Sequence, residues 1–160
     1  TKGVCPAMSS KDITVAKATS DDVDAIAQFN IAMASETEDL TLDQSTVRAG
    51  VRGVLNANDR GFYLVARAQG KPVGSLMITY EWSDWRNGNL WWIQSVYVVP
   101  SSRRQGIFRA LYEDVVSLAQ GAGDVRGIRL YVEKDNRNAQ AVYQELGMSE
   151  TAYRVFETMF

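Results

Sequence analysis

The chain has 160 residues, of which 46% are hydrophobic and 22% are charged, and its formal net charge is −2. This length and composition are typical of one globular domain with a substantial core, and the acidic balance disfavours a general nucleic-acid binder. The absence of histidine excludes a Ser-His-Asp triad, a Cys-His pair and an imidazole metal site, so we expect no metal centre.

The first residues carry no pattern to which a function can be assigned. "TKGVCPAMSS" shows no periodicity, so residues 1–11 are predicted to be an irregular tail of a single domain over 1–160. Cys5 is the single cysteine and has no partner within the chain, which fits a reducing, cytoplasmic setting. We find no apolar span of about 18 residues and no signal-peptide pattern, so neither a membrane protein nor a secreted one is expected.

The chain from residue 13 onward alternates strand and helix patterns. Residues 13–18 alternate apolar and polar side chains and predict a strand. Helices are predicted from residue 20 to about residue 33 and over residues 43–56, with an irregular acidic stretch between them. Gly50 and Gly53 weaken the second helical pattern, because glycine disfavours a helix interior.

The second half of the chain continues this alternation. A β-hairpin is predicted with strands over 62–68 and 72–81, followed by a long apolar strand over 90–99. The remaining predicted elements are a third helix after Gly106, a strand over 128–133, a short helix over 138–146 and a terminal strand over 152–160. The order β-α-α-β-β-β-α-β-α-β predicts an α/β or α+β domain.

The stretch "VVPSSRRQGIFR" joins an apolar strand to an amphipathic helix through a loop that contains Gly106. The start of such a helix presents free backbone N–H groups and a partial positive charge. Arg103, Arg104 and Arg109 add cationic side chains, and the combination suits a pyrophosphate. The loop matches neither GxxxxGK[ST] nor GxGxxG, and from the loop alone a solvated helix start with surface arginines is the alternative.

The chain resembles the Gcn5-related N-acetyltransferase (GNAT) family in two motifs, called A and B, that follow one another in the family's order. The family's motif A is a strand followed by [RQ]-x-x-G-x-[GA] at a helix start; Arg103 and Gly106 match it, whereas Phe108 occupies the last position. Motif B, N-x-x-A-x-x-x-Y-x-x-x-G, is matched by Asn136, Ala139, Tyr143 and Gly147. The resemblance covers nearly the whole chain. It implies a mixed, mostly antiparallel α/β (α+β) sheet of six to seven strands, flanked by about four helices and splayed at strand four.

The resemblance also implies where acetyl-CoA binds as a co-substrate. Strand-four residues Val96, Tyr97 and Val98 would contact the pantetheine arm. The residues expected at the pyrophosphate and the rest of the coenzyme are Arg103, Arg104, Gln105, Gly106, Ile107, Phe108, Arg109, Asn136, Ala139 and Tyr143. Phe108 is tolerated there if its side chain points away while its N–H still donates. Within the family the chain is similar to small-amine acetyltransferases of the diamine type, and relatives often form homodimers.

Acetyl transfer to an amine needs a group that accepts the amine proton and one that protonates the leaving thiolate. Tyr143 is the candidate acid, because the motif B tyrosine of relatives lies beside the sulfur; a tyrosine that merely packs in the core is the alternative. The strand-four glutamate of diamine-type relatives corresponds to Gln94, which cannot take a proton. Glu81 is therefore the first candidate base, with Asp84 beside it and Glu133 as a further one, although Glu81 and Asp84 are each also interpretable as a solvated turn carboxylate. Water held by Gln94 and Ser95 is another route for the proton.

An aromatic cluster precedes motif A and has two interpretations. It consists of Tyr80, Trp82, Trp85, Trp91 and Trp92. Cross-strand packing is one interpretation. The other is an acceptor pocket in which Trp82 and Trp85, with Glu81 and Asp84, bind an ammonium group. Glu36 or Glu38 from the acidic stretch would then form the opposite wall. The substrate-binding candidates are Glu36, Trp82, Asp84, Gln94 and Ser95.

The sequence thus predicts an acetyl-CoA-dependent N-acetyltransferase in which a small amine attacks directly within a ternary complex. A covalent acetyl-enzyme is disfavoured, because Cys5 lies in the predicted irregular tail. A protein or peptide N-terminus is the alternative acceptor. A non-catalytic acyl-CoA-binding module, which keeps the phosphate loop and lacks the base, is the alternative function. No nucleic-acid or membrane partner is expected.

Overall fold

The computed structural model describes residues 12–160, so the predicted tail and Cys5 lie outside the described residues. The described residues divide into two compact units, one that ends at Leu130 and one over Tyr131–Phe160. The first contains β1 (Ile13–Lys17), α1 (Val23–Glu38), α2 (Gln44–Leu55), β2 (Gly61–Ala68), β3 (Lys71–Ser83), β4 (Gly88–Val98), α3 (Ile107–Ala122) and β5 (Val125–Arg129). The second contains α4 (Arg137–Glu145). That residues 1–160 act as one domain stays a prediction.

The strands form one mixed sheet in the order β1-β2-β3-β4-β5. The three pairings from β1 to β4 are antiparallel, and β4 pairs with β5 in parallel. This confirms the predicted mixed and mostly antiparallel sheet. The predicted count of six to seven strands is corrected to five for residues 12–160.

Two of the predicted strands differ from the structure. Residues 152–160 have a strand-like composition but form no strand, because β propensity needs a pairing partner and none pairs with them in residues 12–160. The strand predicted over 128–133 instead spans Val125–Arg129, where it is paired with the start of β4. Pairing, rather than local composition, decided both differences.

Helix α1 is longer than predicted. It continues into the acidic stretch that was expected to be irregular and ends at Glu38, with Asp39 in a left-handed conformation as its C-cap, whereas residues 39–43 are irregular as predicted. The Thr37 hydroxyl donates to the Met33 carbonyl at 2.8 Å, so the hydroxyl stays within the helix. Alanine and glutamate are good helix formers, which explains why the acidic stretch adopts helix.

Strand β2 is buried on both faces and separates two hydrophobic clusters. Leu64 and Ala66 belong to the cluster that includes Leu111 and Val115 of α3. The alternate residues of β2 belong to the cluster formed with α1 and α2, which comprises Val23, Ile26, Ala27, Val51, Tyr63 and Val65. Since successive side chains of a strand point to opposite faces, α3 covers one face of the sheet and α1 with α2 covers the other. In residues 12–160, no helix has the length and apolar character needed to cross a membrane.

The start of α1 is fixed by a buried acidic side chain. Asp22 is only 3% exposed, and its carboxylate accepts the Thr19 N–H at 2.9 Å in the capping box of a 3-10 turn, Ser20–Asp22, that leads directly into α1. The same carboxylate forms an ion pair with Arg67 of β2. A buried carboxylate with two strong donors ties the helix start to the sheet.

Replacing this carboxylate should destabilise the fold strongly. We expect Asp22→Ala to lower the free energy of unfolding by about 3 kcal/mol, because it leaves a partly buried guanidinium and a backbone N–H without their acceptor. Asp24→Ala removes an exposed ion pair with Arg48 from the same helix turn and should cost less than about 1 kcal/mol. Urea unfolding measures both values, and equal losses would contradict the role given to Asp22.

Candidate active site

Strand β4 contains a bulge that separates its two halves. Ser95 has a left-handed backbone with a φ of 51°. Gln94 is opposite Met77 and Tyr97 is opposite Ser75, so Ser95 and Val96 together oppose a single residue of β3. A bulge of this kind bends its strand and increases the local twist.

The parallel pairing of β4 with β5 ends before this bulge. The last pair is Trp92 with Arg129, and among the described strands the part of β4 over residues 93–98 has only β3 as a neighbour. One edge of this segment therefore offers backbone N–H and C=O groups that no strand of this sheet uses. Val96, Tyr97 and Val98, the predicted pantetheine residues, all lie in it.

The loop after β4, residues 99–106, leads into helix α3 and is called the phosphate loop below. Arg104 and Gly106 have φ values of 63° and 80°, and a Cβ added at Gly106 would meet no heavy atom within 4 Å. Gly106 is the N-cap of α3, and no side chain of residues 12–160 caps the helix. The first N–H groups of α3 are thus available to an anion.

Phe108, which departs from motif A, packs into the protein. Its ring lies 6.3 Å from the ring of Tyr112, and both side chains pack against the cluster that includes Leu111. The bulky side chain thus has a place in the hydrophobic cluster of α3.

Glu36 joins the end of α1 to the phosphate loop, although sequence reasoning assigned these segments to different ligands. Its carboxylate accepts the Tyr97 hydroxyl at 2.7 Å and an Arg103 N–H at 2.6 Å. Arg103 also donates from Nε to the Val98 carbonyl at 2.9 Å, and its guanidinium lies 5.5 Å from the centre of the Tyr97 ring. We call Glu36, Tyr97 and Arg103 the Glu36 cluster.

The Glu36 cluster alters the acidity of its members. The pKa of Glu36 is lowered mainly by the hydrogen bond from Arg103 and, to a smaller extent, by the hydrogen bond from Tyr97. Burial and the Glu36 carboxylate raise the pKa of Tyr97. Glu36 is therefore held as an anion by partners in β4 and the phosphate loop, which is a different role from the predicted one of facing an acceptor amine.

Glu81, the first candidate base, lies in the half of β3 that is opposite the paired part of β4. Its Oε2 accepts the Trp92 indole N–H at 3.0 Å and an Arg129 N–H at 2.9 Å. It is four residues along β3 from Met77, the partner of Gln94, which corresponds to about 13 Å of strand. The structure does not bring Glu81 and Gln94 together. Gln94 donates instead to the Thr79 hydroxyl at 2.5 Å.

The aromatic cluster divides into a packed part and an exposed part. Tyr80 and Trp91 pack with Phe62, with ring centres 5.3 to 6.5 Å apart. Trp82 and Trp85 are 61% and 86% exposed at the end of the β3–β4 hairpin, where the Asp84 carboxylate accepts the Trp85 N–H. Trp82 pairs with Asn89, six residues and about 20 Å of strand from Ser95, so the predicted acceptor residues do not converge.

A cavity that sequence reasoning missed lies where α1 and α2 meet the sheet. Its volume is about 470 Å³, and we call it the α1–α2 cavity. Its apolar wall includes Met33, Val47, Val51, Val54 and Met77. Its polar residues are Asn30, Glu38, Tyr63 and Ser95. Ser95 thus links the cavity to the bulge of β4. Gly50, which weakened the predicted helical pattern, also lines the cavity. Its missing side chain is the feature of the sequence that could have indicated open space beside α2.

The motif B residues lie in the second unit. Asn136 is the N-cap of α4, and its Oδ1 accepts the Ala139 N–H at 3.1 Å. The first and fourth residues of the motif thus form a capped helix start. Tyr143 lies in the same helix, where burial raises its pKa. Gly147 follows the helix end with a φ of 85°.

Comparisons with known proteins agree with this architecture. The model of the acetyltransferase (GNAT) family matches residues 27–148. The crystal structure of a possible acetyltransferase from Clostridium difficile 630 is 44% identical, with a TM-score of 0.86, and the match covers 92% of this chain and 97% of that one. No curated protein matches the chain.

More distant structures share the fold. A predicted acetyltransferase with acetyl-CoA from Clostridium acetobutylicum is 17% identical, with a TM-score of 0.74 and coverage of 91% of this chain and 96% of that chain. AAC(6')-Iy in complex with a bisubstrate analog, CoA-S-monomethyl-acetylneamine, is 18% identical, with a TM-score of 0.74 and coverage of 92% and 98%. The resemblance inferred from the two motifs is confirmed: the chain belongs to the GNAT acetyltransferase family.

Proposed function

We propose that the protein transfers the acetyl group of acetyl-CoA to an amine by direct attack within a ternary complex. The observation that carries this proposal is the end of the β4–β5 pairing at Trp92, followed along the chain by a helix whose N-terminus has no side-chain cap. A free strand edge suits the amide groups of pantetheine, and an uncapped helix start suits a diphosphate. Membership of the family supplies the reaction class.

The phosphate loop and the first turn of α3 are the proposed diphosphate site. Room beside Gly106 and the free N–H groups that follow it support this assignment. The proposed coenzyme contacts are Val96, Tyr97, Val98, Arg103, Arg104, Gln105, Gly106, Ile107, Phe108, Arg109, Asn136, Ala139 and Tyr143. Within this set Arg103 also makes contacts inside the protein. Its hydrogen bonds to the Glu36 carboxylate and the Val98 carbonyl hold the guanidinium in one orientation.

Tyr143 is the proposed acid for the leaving thiolate. The phenol is protonated at neutral pH, as a proton donor requires, because the ordinary pKa of tyrosine is 10.0; burial raises the pKa of Tyr143 above that value, which keeps the proton in place but makes the phenol a weaker acid. Bringing amine and thioester together supplies a further part of the acceleration, on the order of 7–11 kcal/mol in favourable cases.

The proton of the attacking amine needs another route. Oε2 of Glu81 is held by Trp92 and Arg129, and Glu81 lies about 13 Å of strand from Met77, the partner of Gln94, so it is far from the bulge. Water held by Gln94 and Ser95 is the route we favour, because Ser95 lies at the bulge and also lines the α1–α2 cavity. Trp82 and Asp84 remain candidate acceptor contacts for a substrate that reaches the hairpin end.

The second candidate function is a non-catalytic acyl-CoA-binding module. The observation that favours it is Gln94 at the position where the resemblance implies an acid. Thiol release from acetyl-CoA in the presence of a panel of amines separates the two functions. Acetyl-CoA binding without release on any amine would support the binding module.

A charge placed in the phosphate loop should abolish coenzyme binding. Gly106→Glu is expected to weaken acetyl-CoA binding at least about 100-fold, roughly 2.7 kcal/mol, because it adds bulk and negative charge at the proposed diphosphate site. Isothermal calorimetry measures the affinity. Gly123→Glu is the control, since Gly123 has a similar φ of 78° and equally open surroundings at the other end of α3. Unchanged affinity in Gly106→Glu would refute the diphosphate assignment.

Loss of the Tyr143 hydroxyl should reduce turnover more than affinity. We expect Tyr143→Phe to lower kcat about 100-fold, since a positioned acid contributes at least that much, while the Kd for acetyl-CoA stays within about twofold. Tyr153→Phe, at an exposed tyrosine of the same unit, is the control. Full turnover in Tyr143→Phe would contradict the role of Tyr143 as the acid and would support the alternative that its side chain only packs.

The Glu36 cluster should contribute stability that depends on pH. Because Arg103 and Tyr97 lower the pKa of Glu36, its stabilisation is fully present above the ordinary value of 4.5 and is lost as the pH falls through the lowered value. Urea unfolding from pH 7 to pH 3 should therefore show Glu36→Gln less stable than wild type at neutral pH, with the two converging in acid. Glu38→Gln, at the same end of α1, is the control. A Glu36→Gln deficit that persists unchanged to pH 3 would contradict the ion pair as its source.

A further inference from the structure

The α1–α2 cavity carries information about the acceptor amine. At about 470 Å³ it falls within the size range of small-molecule sites. Ser95 at its wall belongs to the β4 bulge and precedes Val96, the first proposed pantetheine residue, so the cavity adjoins the segment where the thioester is expected.

The wall of the cavity is mostly apolar and adaptable. Met33 and Met77 face it together with valines of α2, including Val51 and Val54. Methionine fits irregular apolar groups because its side chain is unbranched and polarizable. A ligand with an apolar body would bury that surface, whereas a strongly hydrated one would lose more water than the four polar residues of the wall can replace.

The charge of the cavity matches a single ammonium group. Glu38 is the one carboxylate among the residues that line it, and the carboxylate of nearby Glu36 already binds Arg103 and Tyr97. A second or third ammonium group would lie against apolar wall without a counter-charge, at a substantial desolvation cost. Asn30 and Tyr63 add neutral polar groups to the same wall, so Glu38 alone supplies its negative charge.

We infer that the acceptor is a primary monoamine on an apolar or aromatic body, bound in the α1–α2 cavity, rather than a polyamine or an aminoglycoside. This inference rests on the proposed function and narrows its substrate class. The apolar body lies against Met33, Met77 and Val54, and the amine is drawn to the Glu38 side before it loses its proton and attacks the thioester carbonyl. The acetyl group moves to nitrogen and the thiolate leaves with a proton.

A matched substrate panel tests the charge argument. With wild-type protein and acetyl-CoA, kcat/KM for 2-phenylethylamine is expected to exceed that for putrescine, spermidine and kanamycin by at least about tenfold. It should also exceed that for an apolar tripeptide with a free N-terminus. A preference for putrescine, kanamycin or the peptide would overturn the inference while leaving acetyl transfer to an amine intact.

Filling the cavity from α2 tests the location. Gly50 lines the cavity, and a Cβ added there would meet no heavy atom within 4 Å, so Gly50→Leu has room to extend into the space. It should lower kcat/KM for 2-phenylethylamine at least about tenfold while methylamine is affected less than about twofold. The matched control is Gly121→Leu, a helical glycine of α3 with equally open surroundings. Both changes raise helix propensity, so loss of folding is not expected.

Three outcomes separate failure of this inference from failure of the proposed function. If 2-phenylethylamine binds wild type in calorimetry with CoA present and Gly50→Leu abolishes that binding, the ligand class stands even when no acetyl transfer is detected. If Gly50→Leu and Gly121→Leu behave alike with every amine, the cavity is not the acceptor site. A preference for hexanoyl-CoA over acetyl-CoA that Gly50→Leu removes would assign the cavity to an acyl chain and overturn the inference.

Discussion

The extra residue in β4 is the constraint on which the rest of the first unit depends. Ser95 and Val96 share one partner position on β3, and the parallel ladder to β5 stops at Trp92. A regular strand would use its edge for pairing along its full length. The interrupted strand leaves backbone groups over residues 93–98 that the sheet does not use, and in a GNAT acetyltransferase such groups suit an extended arm of amides.

The two faces of the sheet then contribute different parts of the proposed site. Because β2 buries alternate residues on opposite faces, α3 packs on one side and α1 with α2 packs on the other. Helix α3 supplies an uncapped N-terminus after a glycine with φ of 80°, which suits an anion. Helices α1 and α2 line, together with the sheet, an open cavity with mostly apolar walls that reaches Ser95. The bulge is therefore shared by the coenzyme side and the acceptor side.

The Glu36 cluster connects these parts through polar contacts. Glu36 at the end of α1 binds the hydroxyl of Tyr97 in β4 and the guanidinium of Arg103 in the phosphate loop. Arg103, a proposed coenzyme contact, is thus already oriented by a carboxylate from another helix. In the same way, Glu81 binds Trp92 and Arg129, and so joins β3, β4 and β5 where all three are still paired. Glu36, which was predicted to face the acceptor, and Glu81, the first candidate base, are thus both held in contacts between structural elements.

The features that the sequence determined by itself depend on residues that are close together along the chain. The Gly106 turn before α3, the Asn136 cap of α4 and the apolar periodicities follow from residues within a few positions of one another, and the two motifs identified the family. The tertiary structure alone decided the bulge at Ser95, the partners of Glu36 and Glu81, the α1–α2 cavity and the unpaired state of residues 152–160. These features depend on pairing between segments, as with Arg103, which lies 67 residues from the carboxylate it binds. Such contacts form only when the sheet brings distant segments together, and composition within one segment does not encode them.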